Sequence, residues 1–273
     1  MNDTSLHQAK TNNEIVNHYS DRDRADQILQ HARRFLKDDE TLTAAHIAPF
    51  DQMHIGRETA TERFFTGMSL RGGMHILDIG SGLGGPARHL ADTQDVHITG
   101  IDLTPALCQA AEKLTEAAGL DNKIDFRIAN ACDMPFDDAC FDASYTIHVA
   151  MNIATRADLY REIARTLKPN GIFALYDIML CHEDKQPRFP MPWADTAQTS
   201  HLLTEQQTIA FLQENGFTIT ARQSYHDDGL QQVRRMREKA AENDIPHPDK
   251  FINLETALRD DICTPVMIYA QKA

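Results

Sequence analysis

The segment HILDIGSGLGGPARHLA, residues 75–91, constrains this chain more than any other. An apolar strand runs into Gly80, Gly82, Gly84 and Gly85, and a helix begins near Pro86. Backbone without a Cβ can turn tightly and come close to a ligand. The N-terminus of the next helix turns free N–H groups and partial positive charge toward that ligand, which suits a carboxylate or a phosphate. Gly80, Gly82 and Gly85 also satisfy the G-x-G-x-x-G spacing of dinucleotide sites. Asp102 lies about 20 residues on, where an acid would hold a ribose diol. Spacing alone therefore predicts an adenosine-containing cofactor and leaves its identity open, a nicotinamide-dependent oxidoreductase included.

Helix and strand signals alternate from about residue 70 onward, the pattern of an open α/β sheet. Strands are expected at 74–79, 95–101, 123–128, 141–147, 171–178, 216–223 and 264–271. Thr104-Pro105 opens a helix that Gly119 closes. Thr155 and Asp158 resemble a capping box, Leu159, Ile163 and Leu167 form the buried stripe, and Pro169-Asn170-Gly171 stops that helix. Thr204 and Gln207 open another. Before residue 70 the pattern is helical, with Ala25, Ile28, Leu29, Ala32, Phe35 and Leu36 on one stripe and Phe64, Phe65 and Met68 on a second. The stretch 180–203 carries three prolines and no clear period, as a lid or binding loop would.

Lys plus Arg total 27 and Asp plus Glu total 40, a net charge of −13. Such a surface repels phosphate backbones and anionic membranes, which argues against a nucleic-acid partner. The basic run Arg234, Arg235, Arg237, Lys239 reads as a solvated helix face. No segment approaches the ~20 apolar residues of a membrane span. The polar first residues lack the apolar stretch of a signal peptide, and five cysteines without C-x-x-C spacing suit reduced thiols, so a cytoplasmic protein is expected. There is no H-E-x-x-H, and Cys181 and His182 diverge in an extended segment, so no metal is expected. Hydrolase chemistry lacks its G-x-S-x-G element.

Asp78, two residues before Gly80, separates the cofactor readings. A buried carboxylate there would repel a pyrophosphate, yet it can accept from a cationic amino group. The pattern h-h-D-h-G-x-G-x-G resembles the first motif of class I S-adenosylmethionine-dependent methyltransferases. The resemblance continues through Asp102, RIANACDMPFDDACFDA (127–143) and the L-K-P-x-G turn after TRADLYREIART. PFDQMHIGRETATERFF and FPMPWA resemble the subgroup of sarcosine/dimethylglycine, sterol and quinone methyltransferases. It implies a Rossmann-like α/β fold: a seven-stranded, mostly parallel sheet with helices on both faces and an N-terminal helical cap. The cap would cover 1–66 and the cofactor domain 67–273, with 180–203 as lid.

The resemblance further implies S-adenosylmethionine as cofactor, S-adenosylhomocysteine as product and a small-molecule acceptor. The cofactor-binding set would be Asp78, Gly80, Ser81, Gly82, Gly84, Asp102, Leu103, Asn130, Ala131, Cys132 and His148. Asn130 stands where the family usually has Asp, its carbonyl accepting from the adenine amino group. Ligands bind past the carboxyl ends of the strands. His148, Tyr19 and Asn152 are therefore the catalytic candidates, His148 as a base titrating near pH 6–7. His54, Met151, Asn152 and Trp193 would line the acceptor side. Cap packing is the plainer reading for His18, Tyr19 and His54, and a core methionine for Met134. The acceptor atom (N, O or C) stays open, as do homodimerisation and a catalytically silent cofactor-binding protein.

Overall fold

The computed structural model describes residues 23–37 and 39–273. His18 and Tyr19 lie outside them. Seven strands form one sheet: β1 (His75–Ile79), β2 (His97–Asp102), β3 (Ile124–Ile128), β4 (Phe141–Ile147), β5 (Leu167–Leu180), β6 (Phe217–Ser224) and β7 (Cys263–Lys272). Their order is β3-β2-β1-β4-β5-β7-β6. The first five are parallel, and β7 runs antiparallel between β5 and β6. Strand order reverses between β1 and β4, so the crevice at the carboxyl ends of these two strands is where a ligand is expected.

Apolar residues alternate across this sheet and require cover on both sides. On one face Ile76, Ile98 and Tyr145 pack against α3 (Arg57–Thr66), α4 (Gly85–Thr93) and α5 (Pro105–Ala117). On the other, Leu77, Ile101 and Phe173 pack against α6 (Arg156–Thr166) and α7 (Glu205–Glu214). Two further helices, α8 (His226–Glu242) and α9 (Asp249–Arg259), follow between β6 and β7.

The N-terminal stripe is helix α1 (Arg24–Arg33), whose Ala25, Ile28, Leu29 and Ala32 pack on Leu107, Ala110 and Leu114 of α5. Phe35 departs from expectation. The helix ends before it, and its ring, 72 % exposed, lies against Phe50 at 6.3 Å. Helix α2 (Ala44–Asp51) follows, a turn that the periodicity did not reveal. Phe64, Phe65 and Met68 are buried in the same cluster as the sheet, with Phe65 edge-on to Tyr145 at 5.0 Å. Apolar packing thus runs without a break from α3 into the sheet.

Three local expectations are corrected. Thr155 is the N-cap of α6 but forms no capping box with Asp158; its hydroxyl donates to Cys132 Sγ at 3.4 Å. That helix stops at Thr166, because Leu167 pairs with Phe141 as the first residue of β5. The stretch 180–203 is not loose: Leu180 still belongs to β5, and Met191, Trp193 and Ala194 are buried. The Thr204/Gln207 capping box forms with both bonds made. Arg234, Arg235, Arg237 and Lys239 lie exposed on α8.

A buried ion pair joins α2 to α4. Arg88 donates to Asp51 Oδ2 at 2.6 Å, each side chain 1 % exposed, and also to Leu83 O and Thr115 Oγ1. Gly85 makes room for it, since a Cβ there would stand 2.7 Å from Asp51 Oδ1. Removing one partner leaves a buried charge unmatched. Asp51→Ala should therefore lower the unfolding free energy by about 3–5 kcal/mol, read from urea denaturation of the cofactor-free protein.

Candidate functional site

A cavity of about 480 Å³ opens at the carboxyl ends of β1, β2 and β4, and the glycine turn forms one wall. The turn is held by its own backbone. Gly80 and Ser81 N–H both donate to Ile101 O, at 2.7 and 2.9 Å. Asp102 then fixes the two loops against each other: Oδ2 accepts from Gly82 N at 3.0 Å and Oδ1 from Thr104 N at 2.8 Å.

The glycines serve different ends. A Cβ on Gly80 would lie 2.4 Å from Val149, so this residue permits close packing of the turn on the segment after β4. Gly82, with φ +53, faces the cavity: a Cβ would meet only Met53 Cε, at 3.8 Å. Gly84 is turned away, contrary to expectation. It is the left-handed N-cap of α4 and packs against the Phe126 ring, outside the cavity wall.

Asp78, Ser81, Asp102 and Leu103 line this part of the cavity, and Asn130, Ala131 and Cys132 continue it. Asp78 is 3 % exposed and its Oδ2 has no hydrogen-bond partner. Burial pushes its carboxyl up to about 7, while the neighbouring Tyr145 hydroxyl and Arg88 draw it down and Asp102 adds to the rise. Burial also raises Asp102, against the N–H groups of Thr104 and Gly82. Asn130 Oδ1 accepts from Cys132 N at 3.0 Å, so its side chain shapes the loop after β3. Met134 sits in the core instead, among Leu77, Phe141 and Ile163.

On the opposite side stand His54, His148, Met151, Asn152 and Trp193. His148 has φ +55 and donates its N–H to Tyr176 O at 2.7 Å. Its ring lies 5.0 Å from Tyr176 and 6.0 Å from His54, and its Nε2, shut off from solvent, has no partner. Burial, reinforced by His54, holds its imidazole well below 6.5. His54, bonded to Arg57 O and Thr61 Oγ1, is pushed down to about 4 by its own burial. Both rings are therefore neutral at pH 7, and titration of His148 near 6–7 is corrected downward. Asn152 also departs from a role as reactant: its amide donates to Trp193 O at 2.7 Å and Thr199 O at 3.3 Å, pinning the loop.

Sequence reasoning missed the wall supplied by α8 and α9, which includes Val233, Met236, Phe251 and Leu254. The i, i+3 spacing of Val233 with Met236, and of Phe251 with Leu254, carried that signal beneath the surrounding charges. Among the described residues, no group of three or more His, Cys, Asp or Glu is placed to hold a metal ion. None of their helices is long and apolar enough to cross a membrane.

An open α/β sheet with a glycine turn, a buried acid and a second acid at its switch point defines an adenosine-cofactor enzyme. Residues 77–175 match the family described as a methyltransferase domain. The chain is 30 % identical over 169 residues to the O-methyltransferase rstn1 of Aspergillus nomiae, spanning 62 % of this chain and 75 % of that one. It is 26 % identical over 208 residues to the O-methyltransferase resE of Aspergillus sclerotiorum, spanning 76 % and 79 %. The fold matches geranyl diphosphate C-methyltransferase from Streptomyces coelicolor A3(2) with a TM-score of 0.71 at 17 % identity, over 80 % and 78 % of the two chains. The chain belongs to the class I S-adenosylmethionine-dependent methyltransferases. S-adenosylmethionine is its methyl donor.

The raised carboxyl of Asp78 has a measurable consequence in the cofactor-free protein. Its folded-state value exceeds the unfolded one, so the stability it confers is complete below about pH 4 and lost as pH rises toward 7. Asp78→Asn does not ionise. Denaturant midpoints should show the variant gaining on the wild type across that window, and nothing further above it.

Proposed function

We propose that this enzyme methylates a hydroxyl group on a small, largely apolar molecule, with His148 as the general base. The observation that carries this reading is the His148 ring, which lines the cavity and is kept neutral by its burial. Its neighbour in sequence, Val149, touches Gly80 of the cofactor turn, which sets the ring close to where the two substrates would meet. Two relatives named O-methyltransferases support the choice of acceptor atom.

The bound cofactor would supply an electrophilic methyl on a sulfonium, and the cavity residues fit it. The Asp78 carboxylate, on the cavity wall, suits the methionyl ammonium, and the remaining lone pairs of Asp102 suit the ribose hydroxyls. Ser81, Gly82 and Leu103 would line the same path, and Asn130, Ala131 and Cys132 the adenine end. Opposite, His54 and Met151 would bound the acceptor. Trp193, held by Asn152, would form an apolar wall, as small-molecule sites require. His148 would take the hydroxyl proton while this framework keeps the oxygen in line with the methyl.

Two substitutions separate binding from chemistry. Gly82→Val should leave a folded protein, by circular dichroism, that no longer binds S-adenosylhomocysteine in calorimetry, because a branched residue strains the turn at φ +53 and its side chain enters the cavity. His148→Ala should cut turnover by about a hundredfold or more with cofactor affinity unchanged. In the wild type the acid limb of the turnover profile should lie well below that of a free imidazole, because burial depresses the His148 ring. A variant that keeps its turnover but loses thermal stability would assign His148 a structural role.

A further inference from the structure

The charges around the cavity are unevenly placed. On the cofactor side Asp78 and Asp102 face inward, and the N-terminal segment adds Arg24, Arg57 and an Asp51 already paired with Arg88. On the other, the lining residues from Ile178 onward include no Asp or Glu, and their one charged side chain is Lys250. This half of the wall otherwise presents Trp193, Val233, Phe251 and Leu254, with Gln232 as its amide.

Lys250 is half-buried near the start of α9. No carboxylate among the described residues lies within ion-pairing distance of it, and its ammonium rests 5.6 Å from the Phe251 ring centroid. This is unusual company in a chain with 13 more acids than bases. Glu255, on the same helix, is already engaged by Arg237 at 2.9 Å and Arg234 at 3.9 Å. Gln232 Oε1 is likewise occupied, accepting from Gly56 N. Among the described residues Lys250 is thus a cation kept free of anions at the edge of a mostly apolar surface. An ammonium in such a place gains most from a ligand that brings its own negative charge, because partial desolvation strengthens the pairing.

We infer that the methyl acceptor is an amphiphilic anion: an apolar body lying along Trp193, Val233 and Leu254, with a carboxylate or phosphate on Lys250. This rests on the methyltransferase reading of the same cavity and narrows its acceptor class. It also disfavours a small cationic amine, for which this half of the wall offers no acid.

Trp193 is the only tryptophan and lies in the cavity wall, so its emission reports occupancy directly. Calorimetry first establishes S-adenosylhomocysteine binding; failure there would strike the cofactor reading and not this one. The saturated complex is then titrated with decanoate, decyl phosphate, decanol and decyltrimethylammonium. One or both anions should change the emission saturably and bind at least about tenfold tighter than decanol, the yield of one charge-assisted hydrogen bond. Lys250→Met should remove that advantage while leaving decanol affinity in place. Equal binding of anions and decanol, tighter binding of the cation, no binding of any probe, or anion affinity unchanged in Lys250→Met would each overturn the proposal.

Discussion

A guanidinium with 1 % of its surface exposed must be matched within the protein, and the match for Arg88 is Asp51. Helix α4 begins at the glycine turn, so Arg88 on its second turn is tied to the position of that turn. Asp51 ends α2, and the residues after it, Gln52, Met53 and His54, form cavity wall. The pair therefore sets the N-terminal segment over the carboxyl ends of the strands. Its cost in desolvation is offset by further bonds from Arg88 to Leu83 O, Ala111 O and Thr115. Gly85 follows from the same contact, since a side chain there would displace Asp51.

Within that frame the cavity is electrostatically divided. Two carboxylates, the buried Asp78 and the half-buried Asp102, are both pushed upward by desolvation, and they face the end suited to a cationic cofactor. The histidines across from them are held neutral by the same loss of solvent. One physical cause, exclusion of water, thus yields a cation-seeking wall and a base-ready wall in one cavity. Beneath His148, Asp177 accepts from Met151 N at 3.0 Å and fixes the segment after β4. Burial lifts Asp177 to about 7 against the pull of Arg156.

Much of this was legible in the chain. The seven strands read directly, because alternating and continuous apolar runs bounded by turn residues allow few other folds. Asp78 and Asp102 could be singled out by their spacing from the glycines. The spacing could not tell which glycines face a ligand: Gly82 does, while Gly84 meets the ring of Phe126, which lies on β3. Phe35 continued the helical stripe on paper, yet α1 stops short of it. Helices α8 and α9 were obscured because their apolar positions are few and set among charges.

The sheet, the glycine turn and the acids that mark the cofactor end follow from local pattern, since periodicity and backbone geometry act over short stretches. The neutral state of His148 and His54, the engagement of Asn152 with Trp193, and the wall from α8 and α9 arise on folding. These depend on burial and on partners 41 or more residues away, as Asn152 and Trp193 show. Water exclusion and long-range contact exist only after the chain has folded, so no local pattern encodes them legibly.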